Sequence, residues 1–284
     1  MINILLLPTI ILIVIAYIIP LFRYLWLSTH SVNLTTAFEA IPNNGANWIR
    51  LINDDRFWID IFQTIRFTII SVSIEVFLAI LIASILNHKF KYRGLIRTLI
   101  ILPWALPTAI MSLGWRWIFN SPYGIISKFM NIMGIIDIHL LSDPRLAWIS
   151  TIIADVWKTT PFVAIIILAG MQTVPGDLYE AFLLEGGTKL QSFFRITLPL
   201  IEPYVYITIL FRSAQAFGVF ELIQVLTGGG PGGSTESIGL YAYINAMRFL
   251  DFGYSSTIMF GSFFVLLLYF IIVSYSLFKI KKYV

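Results

Sequence analysis

The chain contains no cysteine. No disulfide framework or thiolate metal site is open to it. Charge is scarce as well. Only 12% of its 284 residues are Asp, Glu, Lys or Arg and 58% are hydrophobic, where a soluble domain carries about 25% charged residues. So little polar surface cannot cover a water-soluble globule of this length, and the composition places the chain in a membrane. Histidine is also sparse: His30, His88 and His139 stand in different connections, so neither a metal site nor an enzyme constellation is expected, and no cofactor. The net charge of +4 points to topology rather than to nucleic acid, because basic residues orient membrane proteins. A nucleotide-binding loop is missing too. TGGGPGGST (Thr227–Thr235) has Gly228 and Gly233 at the required spacing and Thr235 at the hydroxyl position, but Ser234 stands where the lysine belongs. The chain is therefore not expected to hydrolyse ATP itself.

What is abundant is long apolar sequence. A run near twenty residues crosses the hydrocarbon as a helix, because a helix satisfies its own backbone. Six runs qualify: Ile4–Leu27, Ile61–Leu86, Thr98–Phe119, Leu146–Met171, Tyr204–Leu226 and Ser255–Phe278. The first has no basic leader and no small-residue cleavage site, so it reads as a retained span. The expected organisation is a first helix and outer loop over 1–60, a five-span core over 61–280 with a cytoplasmic loop at 175–203, and a tail at 281–284. Lys89, Lys91, Arg93 and Arg97, then Lys189 and Arg195, then Lys279, Lys281 and Lys282 crowd short segments on one side. That side should be cytoplasmic, with both termini on it. Trp48, Trp58, Trp115, Trp117 and Trp148 fall toward the other side, as interfacial tryptophans do. Between the third and fourth spans, Asn131–Leu141 reads as a short surface helix.

The cytoplasmic loop Pro175–Pro203, PGDLYEAFLLEGGTKLQSFFRITLPLIEP, is long but not of disordered composition. Asp177 and Glu180 have capping-box spacing, with Asp177 as N-cap. The first helix should stop at Gly186 and Gly187, which accept left-handed geometry. Thr188 can cap a second helix, in which Leu190, Phe193, Phe194 and Thr197 follow helical spacing until Pro199 ends it. An ordered amphipathic helix-turn-helix outside the lipid is either a docking element or a surface-bound helix pair.

The same loop resembles the EAA motif of the membrane subunits of ABC importers: Glu-Ala-Ala, three residues, Gly, nine residues, Ile, one residue, Leu-Pro. Here the residues are Glu180, Ala181 and Phe182, then Gly186, then Ile196, Leu198 and Pro199. Phe182 replaces the second Ala, and Glu185-Gly186-Gly187 replaces the Asp-Gly-Ala usual in the carbohydrate branch. LPWALPTAIMSLGWRWIFNSPYG (Leu102–Gly124), DVWKTTPFVAIIILAGMQTVP (Asp155–Pro175) and FGYSSTIMFG (Phe252–Gly261) are similar to that branch in character. The resemblance implies the six-helix, all-α fold of a type I importer permease in the inner membrane of a prokaryote. It implies a second permease subunit, two cytoplasmic ATPases that supply the hydrolysis, and an external sugar-binding protein. It assigns Glu180, Ala181, Gly186, Phe193, Ile196, Leu198 and Pro199 to ATPase coupling. Gly228, Gly229, Gly230 and Pro231 would form a turn at the outer mouth, where the binding protein docks.

Ionisable residues inside spans mark function. Glu75 lies mid-span in the second run, and Arg212 and Glu221 lie in the fifth. Asp155 and Lys158, three apart, are expected to pair on one helix face. For a sugar pathway the candidates are Glu221 and Gln224 with Phe217 and Phe220, and then Arg212. Arg212 lies nine residues from Glu221, on the opposite side of an ideal helix, so both line one path only if the helix breaks. Pro103, Pro107 and Pro161 are the candidate interruptions in the third and fourth spans. Arg212 also leaves room for a phosphate-bearing solute such as glycerol phosphate. A channel or ion-driven carrier would not need the EAA element and would usually carry internal repeats.

Overall fold

Backbone groups in lipid have no water to bond, so the apolar runs close their own hydrogen bonds as helices. The computed structural model describes residues 2–134 and 139–281. The centre of the surface helix expected at Asn131–Leu141 and the last residues of the tail lie outside them. The first run forms α1 (Ile2–Ile13), widens into a π turn at Val14–Ile18 and resumes as α2 (Ile19–Ser28). A two-residue antiparallel pair follows, β1 (His30–Ser31) with β2 (Ile41–Pro42), and then α3 (Ala46–Ile52). The second run is α4 (Asp55–Asn87). The third is two helices, α5 (Arg93–Ala105) and α6 (Thr108–Ile118), bent by 92° at the break. After α7 (Ile125–Ile132) comes α8 (Pro144–Gln172), whose first turn is capped by Asp143 accepting from the N–H groups of Arg145 and Leu146, both at 2.9 Å.

The loop region holds α9 (Gly176–Leu184) and α10 (Lys189–Ser192), and a π turn at Phe193–Thr197 leads into α11 (Leu198–Phe217). Then come α12 (Glu221–Leu226), α13 (Ile238–Met247) and α14 (Phe252–Lys281). Among the described residues, five helices are long and apolar enough to cross a membrane, or six if the bent pair is one span.

Four expectations are corrected. The third run breaks at Pro107, one of its two candidate interruptions, which has no N–H to continue α5, but Pro103, the other, stays inside that helix. The fifth run does not extend to Leu226, because α11 stops at Phe217 and α12 is separate. Pro199 does not end the second loop helix, which runs on into the fifth span so that Lys189–Phe217 passes as one helix. Pro161 stays inside an unbroken α8. Pro20 and Pro199 each stand just after a π turn, at the start of the resumed helix. A proline ring collides with the carbonyl four residues earlier, and the wider turn relieves that collision without ending the helix.

Two compact units divide the chain. One is the chain up to Phe62 together with Ser237–Phe278; the other includes Gln63–Glu236. The second unit has a core of Ala79, Ala83 and Leu86 of α4, Val163, Ala164, Ile167, Leu168 and Met171 of α8, and Ile201 of α11. Ala79 and Ala83 on α4 are the kind of small residue that helix interfaces in lipid favour.

In the first unit, Asp54 is the hub. Its Oδ1 accepts from the backbone N–H of Arg56 at 3.0 Å, and its Oδ2 accepts from the Tyr241 hydroxyl at 2.6 Å and from that of Tyr254. Burial alone would raise its pKa. The two phenols and the N–H groups of Phe57 and Arg56 outweigh that effect and hold the carboxyl below its ordinary value of 3.8. Burial and the Asp54 carboxylate push Tyr241 up to about 12, so the phenol remains a donor. The stability this carboxylate contributes is full at neutral pH and is lost as pH falls through its lowered pKa. Asp54→Asn is expected to destabilise the protein by about 2 kcal/mol, since it weakens hydrogen bonds to a charged group. Thermal melts of the variant in detergent at pH 7 check this.

Candidate functional site

Two sites stand out, one in the α9–α11 connection and one where the spans break. In the connection, Gly176 is already helical and Pro175 is the N-cap, with no side-chain cap bond. Asp177 therefore sits inside the first turn, where it favours the positive helix end, and the capping box expected there is absent. The box at Thr188 is present: the Gln191 N–H donates to Thr188 Oγ1 at 3.3 Å and the Thr188 N–H to Gln191 Oε1 at 2.8 Å. α9 stops on Gly186 at φ +87°. The Gly186 N–H donates to Leu183 O at 3.1 Å and the Gly187 N–H to Phe182 O at 3.0 Å, the two bonds of a Schellman stop. Tyr179 Oη lies 2.8 Å from Thr197 Oγ1, which ties α9 to the base of the fifth span.

Glu180, Ala181, Gly186 and Pro199 are exposed, and so are Leu178, Leu183 and Leu184 on α9, the last at 89%. Phe193 and Leu198 instead pack against the α4–α8–α11 core, and Ile196 is half-buried. Seven residues assigned by one motif thus divide into an outward face and an anchoring face.

The second site begins with charges that local spacing could not pair. Arg212 on α11 donates from Nε to Glu75 Oε2 at 2.6 Å and from Nη2 to Glu75 Oε1 at 2.8 Å. Nη2 also reaches Asp155 Oδ2 on α8 at 3.0 Å, and Nη1 reaches Gln215 Oε1 at 3.3 Å. Glu75 is 0% exposed and Arg212 3%. A planar guanidinium meets a carboxylate with two parallel bonds, so one side chain fastens α4, α8 and α11 together. The expected Asp155–Lys158 pair gives way to this clasp. Lys158 Nζ donates instead to Leu106 O at 2.7 Å. Leu106 lies at the 92° bend in extended backbone before Pro107, so its carbonyl has no helical partner and the ammonium supplies one.

Beside the clasp opens a cavity of about 380 Å³ lined by Trp104, Asp155, Lys158, Thr159, Arg212, Gln215, Phe220 and Glu221, among others. The break at Gly218–Phe220 is what brings Glu221 and Arg212 to one space. Of the five predicted pathway residues, Arg212, Phe220 and Glu221 line the cavity. Phe217 is buried behind it at 4% exposure, and Gln224 lies outside the lining with its Oε1 enclosed. Trp104 and Thr159 escaped sequence reading. Trp104 stacks on Phe162 at 5.1 Å between centroids and 14° between planes, and Phe162 continues to Phe211 at 5.6 Å.

The glycine turn is built from its own hydroxyls. Thr235 Oγ1 lies 2.7 Å from Thr227 Oγ1 and donates to Gly230 O at 2.9 Å. Gly228, Gly229, Gly232 and Gly233 all have positive φ, which explains why glycine fills them. Thr235 is thus committed within the loop.

Charged groups buried among membrane-length helices, beside a cavity at broken spans, are what a multi-pass membrane transport subunit presents. Residues 75–284 match the family described as binding-protein-dependent transport system inner membrane component, and the chain belongs to that family. It is 39% identical to the trehalose/maltose transport system permease protein MalF of Thermococcus litoralis, over 94% of this chain and 90% of that one. It is 34% identical to the sulfoquinovosyl glycerol transport system permease protein SmoG of Agrobacterium fabrum, over 89% and 82%. In structure it superposes on a chain of a bacterial ABC transporter involved in import of the acidic polysaccharide alginate. The TM-score is 0.81 at 23% identity, covering 98% of this chain and 95% of that chain. The fold is that of type I ABC importer permeases.

Proposed function

We propose that this chain forms part of the transmembrane pathway for a neutral sugar in an ATP-driven, binding-protein-dependent importer. The saturation of Arg212 carries the solute class. Its guanidinium is taken up by Glu75, Asp155 and Gln215, and Lys158 is held by Leu106 O. Two cations and two carboxylates, Asp155 and Glu221, face the cavity, so it offers no uncommitted positive charge to a phosphate. Hydroxyl and amide groups of Thr108, Thr159 and Gln215 beside the Trp104 face suit a polyhydroxylated ring. The trehalose/maltose relative supports that reading. The competing solute, glycerol phosphate, would need a free cation there. Uptake by proteoliposomes holding the complete importer tests the two. Labelled disaccharide should enter and glycerol phosphate should not, and Trp104→Ala should cut sugar uptake about tenfold through loss of an aromatic stack of about 1 kcal/mol and its desolvated surface. Entry of glycerol phosphate alone would reverse the assignment.

The exposed face of α9 and its glycine stop are the proposed seat of the cytoplasmic ATPases, with both termini on the same side. A second permease, a distinct paralogue or another copy, completes the pathway. Glu180→Ala and Gly186→Val are each expected to insert normally and abolish uptake. Membrane fractionation and uptake on the same vesicles check both, and normal uptake by both variants would sink the coupling role.

A further inference from the structure

At the loop-side ends of α5 and α8, two guanidiniums converge, with no acid of the described residues paired to either. Arg93 and Arg97 are one turn apart on α5. With the Gln172 side chain set oxygen-first, its Oε1 accepts from Arg93 Nη2 at 3.0 Å and from Arg97 Nη2 at 2.6 Å. A single neutral amide oxygen therefore holds two like charges together. The Nε atoms of both arginines are enclosed with no acceptor. Like charges at i, i+4 repel, and an enclosed charged donor without an acceptor is costly. No ion pair among the described residues offsets these two charges, so an anion set against the guanidinium groups would relieve their repulsion.

We propose that Arg93, Arg97 and Gln172 form a binding site for the phosphate of an anionic phospholipid headgroup. Depth favours lipid. Gln172 is the last residue of the α8 span, and Arg93 is the first residue of the bent pair. Tyr92 beside Arg93 is 60% exposed, with the Lys91 ammonium 5.4 Å from its ring, an aromatic–basic pair typical of the interface. Guanidiniums bind phosphate with a fork of parallel donors, which lysine cannot reproduce. Lys89 and Lys91 add local positive charge, which favours an anionic over a zwitterionic headgroup. Arg93, Arg97 and Gln172 do not line the cavity beside Arg212.

The test reads bound lipid on the full chain purified from membranes, by native mass spectrometry after exchange into mixed phosphatidylglycerol and phosphatidylcholine. The wild type is expected to retain phosphatidylglycerol selectively. Arg97→Gln should lower retention about tenfold, the scale of one lost charge-assisted bond, and Arg97→Lys should lower it less. Gln172→Glu is the sharper variant, because it places a carboxylate between both guanidiniums. It should displace the lipid while raising the melting temperature in lipid-free detergent, which separates displacement from misfolding. Wild-type retention by Gln172→Glu, or equal retention of phosphatidylcholine, overturns the proposal. Displacement by millimolar inorganic phosphate overturns the lipid as its source and assigns the site to a soluble phosphate.

Discussion

Arg212→Met is expected to leave little folded protein. Glu75 is fully buried and Asp155 nearly so, and removing the guanidinium strands both carboxylates in a medium that cannot solvate them. Breaking a buried pair from one side costs about 3–5 kcal/mol, a large share of a stability of roughly 5–15 kcal/mol. Arg212→Lys should recover only part of it, since an ammonium cannot span Glu75 and Asp155 with a planar fork. Glu75→Leu with Arg212→Met should recover more, because removing both charges also removes their desolvation cost. Monodispersity on size exclusion and the thermal midpoint of the purified protein check the series. A fully stable Arg212→Met that fails only in uptake would make Arg212 a solute contact instead of a clasp.

That series also marks where sequence reading stopped. The spans were legible because length and hydropathy alone define them. Their breaks were legible only as candidates, because the same residue type behaves differently by context. Pro107 sits at a 92° bend whose freed carbonyl is met by Lys158, whereas Pro161 and Pro203 remain inside continuous helices. The break after Phe217 carries a lone glycine and no proline, too little to separate it from an ordinary helix. Pairing failed in a related way. Spacing of three made Lys158 the natural partner of Asp155, but the guanidinium that takes it is 57 residues away in sequence, beyond any local rule. Polar stops and caps fared better where geometry is local: Thr188 and Gly186 do what their positions indicate. Asp177 does not, because Gly176 had already begun the helix.

Gly187→Ala is expected to damage the α9 stop more than Gly186→Ala, although Gly186 is the residue with the left-handed backbone. A methyl at Gly186 meets nothing within 4 Å, so its cost is the φ of +87° alone, about 1–2 kcal/mol. A methyl at Gly187 would lie 2.1 Å from Phe182 Cε1, 2.3 Å from Cδ1 and 2.8 Å from Phe182 O. The departures from the EAA pattern at 182 and 187 are thus one fit: the ring at 182 occupies the volume that a side chain at 187 would need. Overpacking of this kind costs about 1–3 kcal/mol, and it falls on the turn that joins α9 to the fifth span. The double variant Phe182→Ala, Gly187→Ala should regain part of the loss, since the ring contacts vanish. It should not regain all of it, because the Phe182 carbonyl stays where the Gly187 N–H bonds it at 3.0 Å. Protease nicking between α9 and α10, read beside uptake on the same vesicles, ranks the three variants. Equal resistance in Gly187→Ala and wild type would mean that the ring swings aside freely and that the two departures are independent.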